Sequence, residues 1–179
     1  MADRGMVGLA QTLGGAGFDV VRFNFPYREK GAKLPDPMPV LKECIASTAM
    51  RVRGDKKLII GGRSMGGRAA SMLAADGFEC DGLLLLAYPL HPAGKPEKLR
   101  DAHLAKIGVP VLCLNGTRDA LCERKLMDPI VSALGQWQMH WLEGADHSFH
   151  VLKSSGKTDE DVMKEVGTTA QRWLQGLGA

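Results

Sequence analysis

Between Leu58 and Ala70 the chain reads Leu-Ile-Ile-Gly-Gly-Arg-Ser-Met-Gly-Gly-Arg-Ala-Ala, an apolar run, then a serine bracketed by glycines, then small residues suited to a helix. That order predicts a strand, a sharp turn and a helix. Gly62 to Gly66 fit the pattern G-x-S-x-G, in which the serine takes a strained φ/ψ at a strand end and its hydroxyl projects from the sheet edge. In so tight a turn, a Cβ at Gly62 or Gly66 is expected to strike neighbouring backbone. A five-residue pattern of this kind also recurs by chance in Gly-rich loops. The apolar run before it and the helical pattern after it supply the context that the motif requires.

The flanking sequence repeats the alternation of strand and helix. Met6, Leu9, Ala10 and Leu13 fall at helical spacing, and Gly14 to Gly17 end that helix. The glycines there are a helix stop rather than a dinucleotide loop, because no strand precedes them and the last glycine of G-x-G-x-x-G would fall at Val20. Phe18 to Phe25 is rich in β-branched and aromatic residues and predicts a strand closed by Pro26. A polar loop with Pro35, Pro37 and Pro39 follows, and Val40, Leu41, Cys44, Ile45 and Thr48 mark a helix to about Arg53.

Beyond the elbow, Ala69, Ala70, Met72 and Leu73 continue a helix that Asp76-Gly77 stops, and Leu83 to Ala87 predicts a buried strand. The loop Tyr88-Pro89-Leu90-His91-Pro92 then leaves that strand at the Ser64 end of the sheet, where substrate could lie against it. A short helix is expected over about Arg100 to Lys106, a strand over Val109 to Leu114, a helix over about Cys122 to Leu134 and an edge strand over Gln136 to Leu142. In the last helix, Thr158 with Asp161 approximates a capping box, and Val162, Met163, Val166, Ala170, Trp173, Leu174 and Leu177 form the apolar stripe. Strands apolar on both faces and separated by helices imply a mostly parallel sheet with helices on both faces, here as a single domain over residues 1–179.

Composition narrows the classes of function. The chain has 179 residues, enough to bury a core without disulfide staples, and its four cysteines, Cys44, Cys80, Cys113 and Cys122, are widely spaced without a C-x-x-C pair. Reduced thiols in a cytoplasm are expected. Neither an N-terminal leader pattern nor an apolar run of the ~18 residues that span a membrane is visible, so no membrane partner is expected. The net charge of +3 is spread along the chain, and its densest basic stretches, Arg28 to Lys33 and Arg51 to Lys57, lack interleaved aromatics. They read as solvated loops rather than as a nucleic-acid surface. Gly156-Lys157-Thr158 is no phosphate loop, because Val151 stands where its first glycine belongs.

A serine hydroxyl is a weak nucleophile at neutral pH and needs a base within hydrogen-bond reach, itself oriented by a carboxylate. Ser64, Asp119 and His147 each follow a different predicted strand on one sheet edge, in the chain order Ser, Asp, His. Asp146 and Glu143 compete for the acid, and His150, His91 and His140 for the base. Asp146 directly precedes His147 and is poorly placed to orient its ring, which favours Asp119. His140 reads as a packed or edge residue of a strand. His147 and His150 lack a third ligand at a sensible spacing, so no metal site is expected, and no organic cofactor is implied.

The whole chain resembles the small α/β-hydrolase family of dienelactone-hydrolase-like hydrolases, which is related to α/β-hydrolase-like subunits of chromatin complexes. The matching stretches are Val20 to Tyr27, Gly61 to Gly67, Tyr88 to Pro92 with Gly94 to Arg100, Leu114 to Asp119, and Gly144 to Phe149. The resemblance implies a serine hydrolase of α/β-hydrolase fold, with the triad on Ser64, Asp119 and His147. Its substrate would be a small acyl compound such as a carboxylic ester or thioester, cleaved through an acyl-serine. One oxyanion-hole N–H is expected from Met65, the residue after the nucleophile. The family also carries, ahead of the helix that here starts near residue 3, further strands and a His-Gly-Ala-Gly-type loop that gives the second N–H. This sequence has neither, so the chain is expected to be N-terminally truncated, with a gap between Phe18 to Phe25 and Leu58 to Ile60 and weakened activity. Losing one oxyanion donor costs about 10² to 10³ in kcat. The alternative expectation is a scaffold or interaction protein that keeps the fold without turnover.

Overall fold

Four apolar runs pair side by side in chain order as a parallel sheet, β1 (Ile59–Arg63), β2 (Gly82–Leu86), β3 (Val111–Gly116) and β4 (Trp137–Leu142), in a computed structural model that describes residues 4–178. The register is regular, with Ile60 opposite Leu83, Leu85 opposite Cys113 and Asn115 opposite Trp141. The helices are α1 (Arg4–Gly15), α2 (Pro26–Glu29), α3 (Met38–Val52), α4 (Met65–Ala75), α5 (Arg124–Ser132) and α6 (Asp159–Gly176).

The two-residue period of a strand divides each apolar run between two cores. Leu83 and Leu85 of β2, with Val111 and Cys113 of β3, pack with Leu41 and Ile45 of α3 and Ala69, Ala70 and Leu73 of α4. Leu84, Leu86, Leu112 and Leu114 face the other way, onto Leu9 and Leu13 of α1 and Val162, Val166, Ala170 and Trp173 of α6. Helices therefore cover both faces, and β2 and β3 are buried along their whole length. Each such leucine contributes about 1.5 to 3 kcal/mol by leaving water. The outer strand β4 keeps an alternating pattern, with Trp137, Met139 and Trp141 against one core and His140 on the opposite side bonded to Glu165 of α6 at 2.8 Å. Helix α6 opens on a complete capping box, with Asp161 N–H donating to Thr158 Oγ1 and Thr158 N–H to Asp161 Oδ2.

Two sequence expectations are corrected. Phe18 to Phe25 forms no strand. The segment has no ladder partner, since β1 pairs only with β2 among the described residues, and its own Val20, Val21 and Phe23 are exposed. Strand-forming residues supply side chains for a pleated surface, but a strand exists only where another backbone completes its hydrogen bonds. The chain instead turns at Phe25, whose carbonyl accepts from Arg28 and Glu29 N–H, into the single helical turn α2. The helix expected over Arg100 to Lys106 is reduced to one 3₁₀ turn, Leu104–Lys106. Arg100 N–H is held by Leu90 O at 2.7 Å, so the backbone at the expected helix start bonds the preceding loop instead.

Candidate active site

The elbow is built by close approach of backbone. Helix α4 crosses so near β1 that a Cβ on Gly67 would lie 2.7 Å from Gly62 O, and one on Gly62 would lie 3.0 Å from Gly66 C. Gly62 is crowded as the sequence predicts. Gly66 is not, for the nearest atom to a Cβ there is a Phe25 ring carbon at 4.0 Å. The tight contact thus falls on Gly67, one residue beyond the pentapeptide. Between strand and helix Ser64 adopts φ 52°, ψ −117°, a strained conformation for a residue with a Cβ. Its N–H continues the ladder, donating to Leu86 O at 2.8 Å, while its side chain makes no cap to α4. The hydroxyl is thereby free to point along the sheet edge.

Asp119 follows β3 and is nearly sealed from solvent, with its carboxylate fully buried. A buried carboxylate must find donors. Its Oδ1 accepts from Leu121 N–H at 2.8 Å, and its Oδ2 accepts from Asn115 Nδ2 at 3.2 Å and from His147 Nδ1 at 2.8 Å. The other ring nitrogen of His147, Nε2, lies 2.8 Å from Ser64 Oγ. Since Asp119 accepts at Nδ1–H, Nε2 carries the lone pair and accepts from the serine hydroxyl.

His147 reaches this position through a compact turn after β4. Asp146 Oδ1 accepts from Ser148 and His150 N–H, Asp146 N–H donates to His150 O, and Phe149 takes φ 64°. The turn docks on the end of β3, where Arg118 N–H donates to Ala145 O at 2.9 Å and Gly144 N–H to Thr117 Oγ1 at 2.9 Å. Gly116 permits this contact, because a Cβ there would lie 2.1 Å from Ala145 O.

The competing candidates are occupied elsewhere. Asp146 builds the turn, and Glu143 accepts from Thr117 Oγ1 at the surface. His150 pairs with Asp159, whose carboxyl is held below the usual carboxylate range by that bond and by Val151 N–H. His91 is buried with its ring Nδ1 3.0 Å from Pro92 O, and His140 bonds Glu165. Met65 opens α4, where a helix N–H has no carbonyl four residues back and the helix dipole is positive.

Residues 1–175 match the family described as an alpha/beta hydrolase domain. The chain belongs to that family. Its fold is similar to that of an α/β serine hydrolase homologue from Coxiella burnetii, with TM-score 0.71, 19% identity, and coverage of 97% of this chain and 77% of that one. An α/β serine hydrolase without lid from Xanthomonas campestris matches with TM-score 0.70 and 22% identity, over 97% of this chain and 75% of that one. A monoacylglycerol lipase from Paleococcus ferrophilus gives TM-score 0.68 and 16% identity, over 92% and 87% of the two chains.

Two contacts of this α/β-hydrolase site escape a reading of the sequence. Arg63, the residue before Ser64, donates from Nη2 to the carbonyl of His147 at 3.1 Å and ties the histidine turn to β1. Asn115 is fully buried at the end of β3. A polar amide closing the otherwise apolar run Val111 to Leu114 is the signal that could have drawn notice to it. Nearby Tyr88 donates its hydroxyl to Arg100 O at 2.6 Å, and burial holds its pKa well above the ordinary phenol value. Among the described residues no helix is long and apolar enough to cross a membrane.

Proposed function

We propose that this α/β-hydrolase-family protein cleaves a carboxylic ester, a thioester or a similar small acyl substrate through an acyl-Ser64 intermediate. The observation that carries the reading is the unbroken pair of hydrogen bonds, 2.8 Å each, from Ser64 Oγ to His147 Nε2 and from His147 Nδ1 to Asp119 Oδ2. Ser64 Oγ attacks the carbonyl carbon as Nε2 takes its proton, and Asp119 holds the imidazolium that forms. The carbonyl oxygen becomes an oxyanion, for which the Met65 N–H at the start of α4 is the donor assigned here. Collapse of the tetrahedral species breaks the bond to the leaving alkoxide or thiolate, which takes the proton from Nε2. Water then repeats the attack on the acyl-serine with His147 as base, releasing the carboxylic acid and restoring Ser64. The name of one fold neighbour, monoacylglycerol lipase, supports an ester among the candidate substrates. Four unpaired cysteines, two of them buried, support a cytoplasmic setting.

A serine-directed fluorophosphonate tests the reading directly. Wild-type protein is expected to be labelled covalently and Ser64→Ala to remain unlabelled, with the two proteins melting alike. Well-folded wild type that takes no label would favour a scaffold that keeps the fold without turnover.

A further inference from the structure

Asp119 is held by a neighbour whose hydrogen-bonding capacity is entirely committed. Asn115 has no solvent exposure. Its Oδ1 accepts from Tyr88 N–H at 2.9 Å and from Cys113 Sγ at 3.4 Å, and its Nδ2 donates to Tyr88 O at 3.0 Å and to Asp119 Oδ2 at 3.2 Å. The amide orientation follows from these partners. Turned over, the side-chain oxygen would face a carbonyl and a carboxylate, both acceptors, while its NH₂ would face the donating Tyr88 N–H. With its two hydrogens on one nitrogen, the amide serves Tyr88 and Asp119 together. A hydroxyl brings one hydrogen and an ionised carboxylate none.

The Tyr88 pair alone would explain a structural asparagine. It fastens the chain leaving β2, where Ala87 is strained at φ 50°, to the end of β3. The second hydrogen goes further, because it meets the same carboxylate oxygen that receives His147 Nδ1–H. That oxygen's position fixes the plane and reach of the imidazole whose far side meets Ser64.

We infer that Asn115 is a positioning residue for the hydrolytic site, acting through Asp119 to set the angle at which His147 meets Ser64. The inference rests on the reading of Ser64, His147 and Asp119 proposed above. Its action is on the chemical step and not on substrate binding, since the amide is buried behind Asp119 and fully used within the protein.

A double-mutant cycle separates this role from a structural one. Asn115→Ala, Asp119→Ala and the double variant are compared by kcat and KM on a small activated ester and by the rate of fluorophosphonate labelling, each on protein shown to be folded by its thermal melt. Asn115→Ala alone should lower kcat by about 10- to 100-fold with KM little changed, since a small misplacement of catalytic groups has that effect. In the Asp119→Ala background the same change should alter the rate by less than about twofold, because the group it acts through is gone. An equal fold loss in both backgrounds, or a loss carried by KM, would make Asn115 a structural residue and overturn the inference. If Asn115→Ala does not fold, Asn115→Ser takes its place in the cycle, and failure of both to fold counts equally against a positioning role. Should Asp119→Ala itself leave both rates unchanged, the proposed function fails first, which is a different outcome from failure of the cycle.

Discussion

Strand β2 and the segment Phe18 to Phe25 both read as strands in sequence, yet the first is buried along its length between two ladders and the second pairs with no strand among the described residues. Both are apolar. The leucines of β2 divide between two cores, whereas Val20, Val21 and Phe23 are left substantially exposed. What separates them is their strand neighbours: β1 and β3 flank β2 in register, and no strand pairs with the earlier segment among the described residues. Apolar composition selects a chain for burial, but the hydrogen-bonding demand of the backbone decides whether burial takes the form of a sheet. The proposed catalytic groups all leave the paired strands. Ser64 N–H donates to Leu86 O and Ala87 N–H to Leu114 O, so the ladder continues into the loops and fixes where they start.

The largest effect is therefore expected at the end of β3. Asp119→Asn keeps the size of the side chain but places an NH₂ among three donors, Leu121 N–H, Asn115 Nδ2 and His147 Nδ1, where a carboxylate accepts from all three. The imidazole loses the partner that sets its tautomer. In a serine protease triad the equivalent change lowers kcat by about 10⁴, and a loss of that order is expected in ester hydrolysis here. His147→Ala should remove most of the remaining rate. Asp146→Asn should change the rate far less, because that carboxylate serves the turn. A reversal of the two aspartates' effects would reassign the acid.

Stability tests the comparison itself. Leu85 has no exposure and touches the crowded face of Gly67, so Leu85→Ala should cost about 2 to 5 kcal/mol, through lost burial and the cavity it leaves. Val21 is 55% exposed in the unpaired segment, and Val21→Ala should fall within about 0.5 kcal/mol of wild type. Urea denaturation of both variants measures the difference. Comparable losses at the two positions would mean that the segment is covered in solution and buries its side chains as β2 does.

How far the sequence reveals this molecule follows the same line. The paired strands, the elbow and the capped last helix are legible because each is written locally, in an apolar run, a glycine-bracketed serine or the Thr158 and Asp161 pair. The meeting of Ser64, Asp119 and His147 is legible at one remove, since parallel strands deliver their loops to one edge. The unpaired state of Phe18 to Phe25 is not written in the segment, because it depends on which backbone lies alongside. The crowding at Gly67 rather than Gly66 depends on the angle at which α4 crosses β1, which no spacing rule gives. Arg63 and Asn115 escape for a related reason. Arg63 bonds a carbonyl 84 residues away, and Asn115 bonds the backbone of a residue 27 positions earlier in the chain.

The smallest expected effect concerns His103, in the irregular crossover between β2 and β3. Ser71 is buried in α4 and donates its hydroxyl to Arg68 O at 2.8 Å, so at 2.8 Å from His103 Nε2 it accepts from a ring N–H. Burial holds the His103 pKa below its ordinary value, the charge of Arg68 lowers it further, and Asp76 and Asp101 oppose the shift. Folding thus favours the neutral ring. The unfolded chain takes up its proton first as pH falls below about 6.5, so the stabilisation is complete above that pH and is lost progressively on acidification through the folded value. His103→Gln keeps an N–H donor for Ser71 and removes the titration. Its melting temperature is expected to fall less steeply than that of wild type between about pH 6.5 and pH 5, with the two slopes equal above pH 7. Parallel curves throughout that range would show that the ring of His103 is as easily protonated in the folded protein as in the unfolded chain. Its crossover would then be open to water in the way that Phe18 to Phe25 is, rather than sealed like the strands on either side of it.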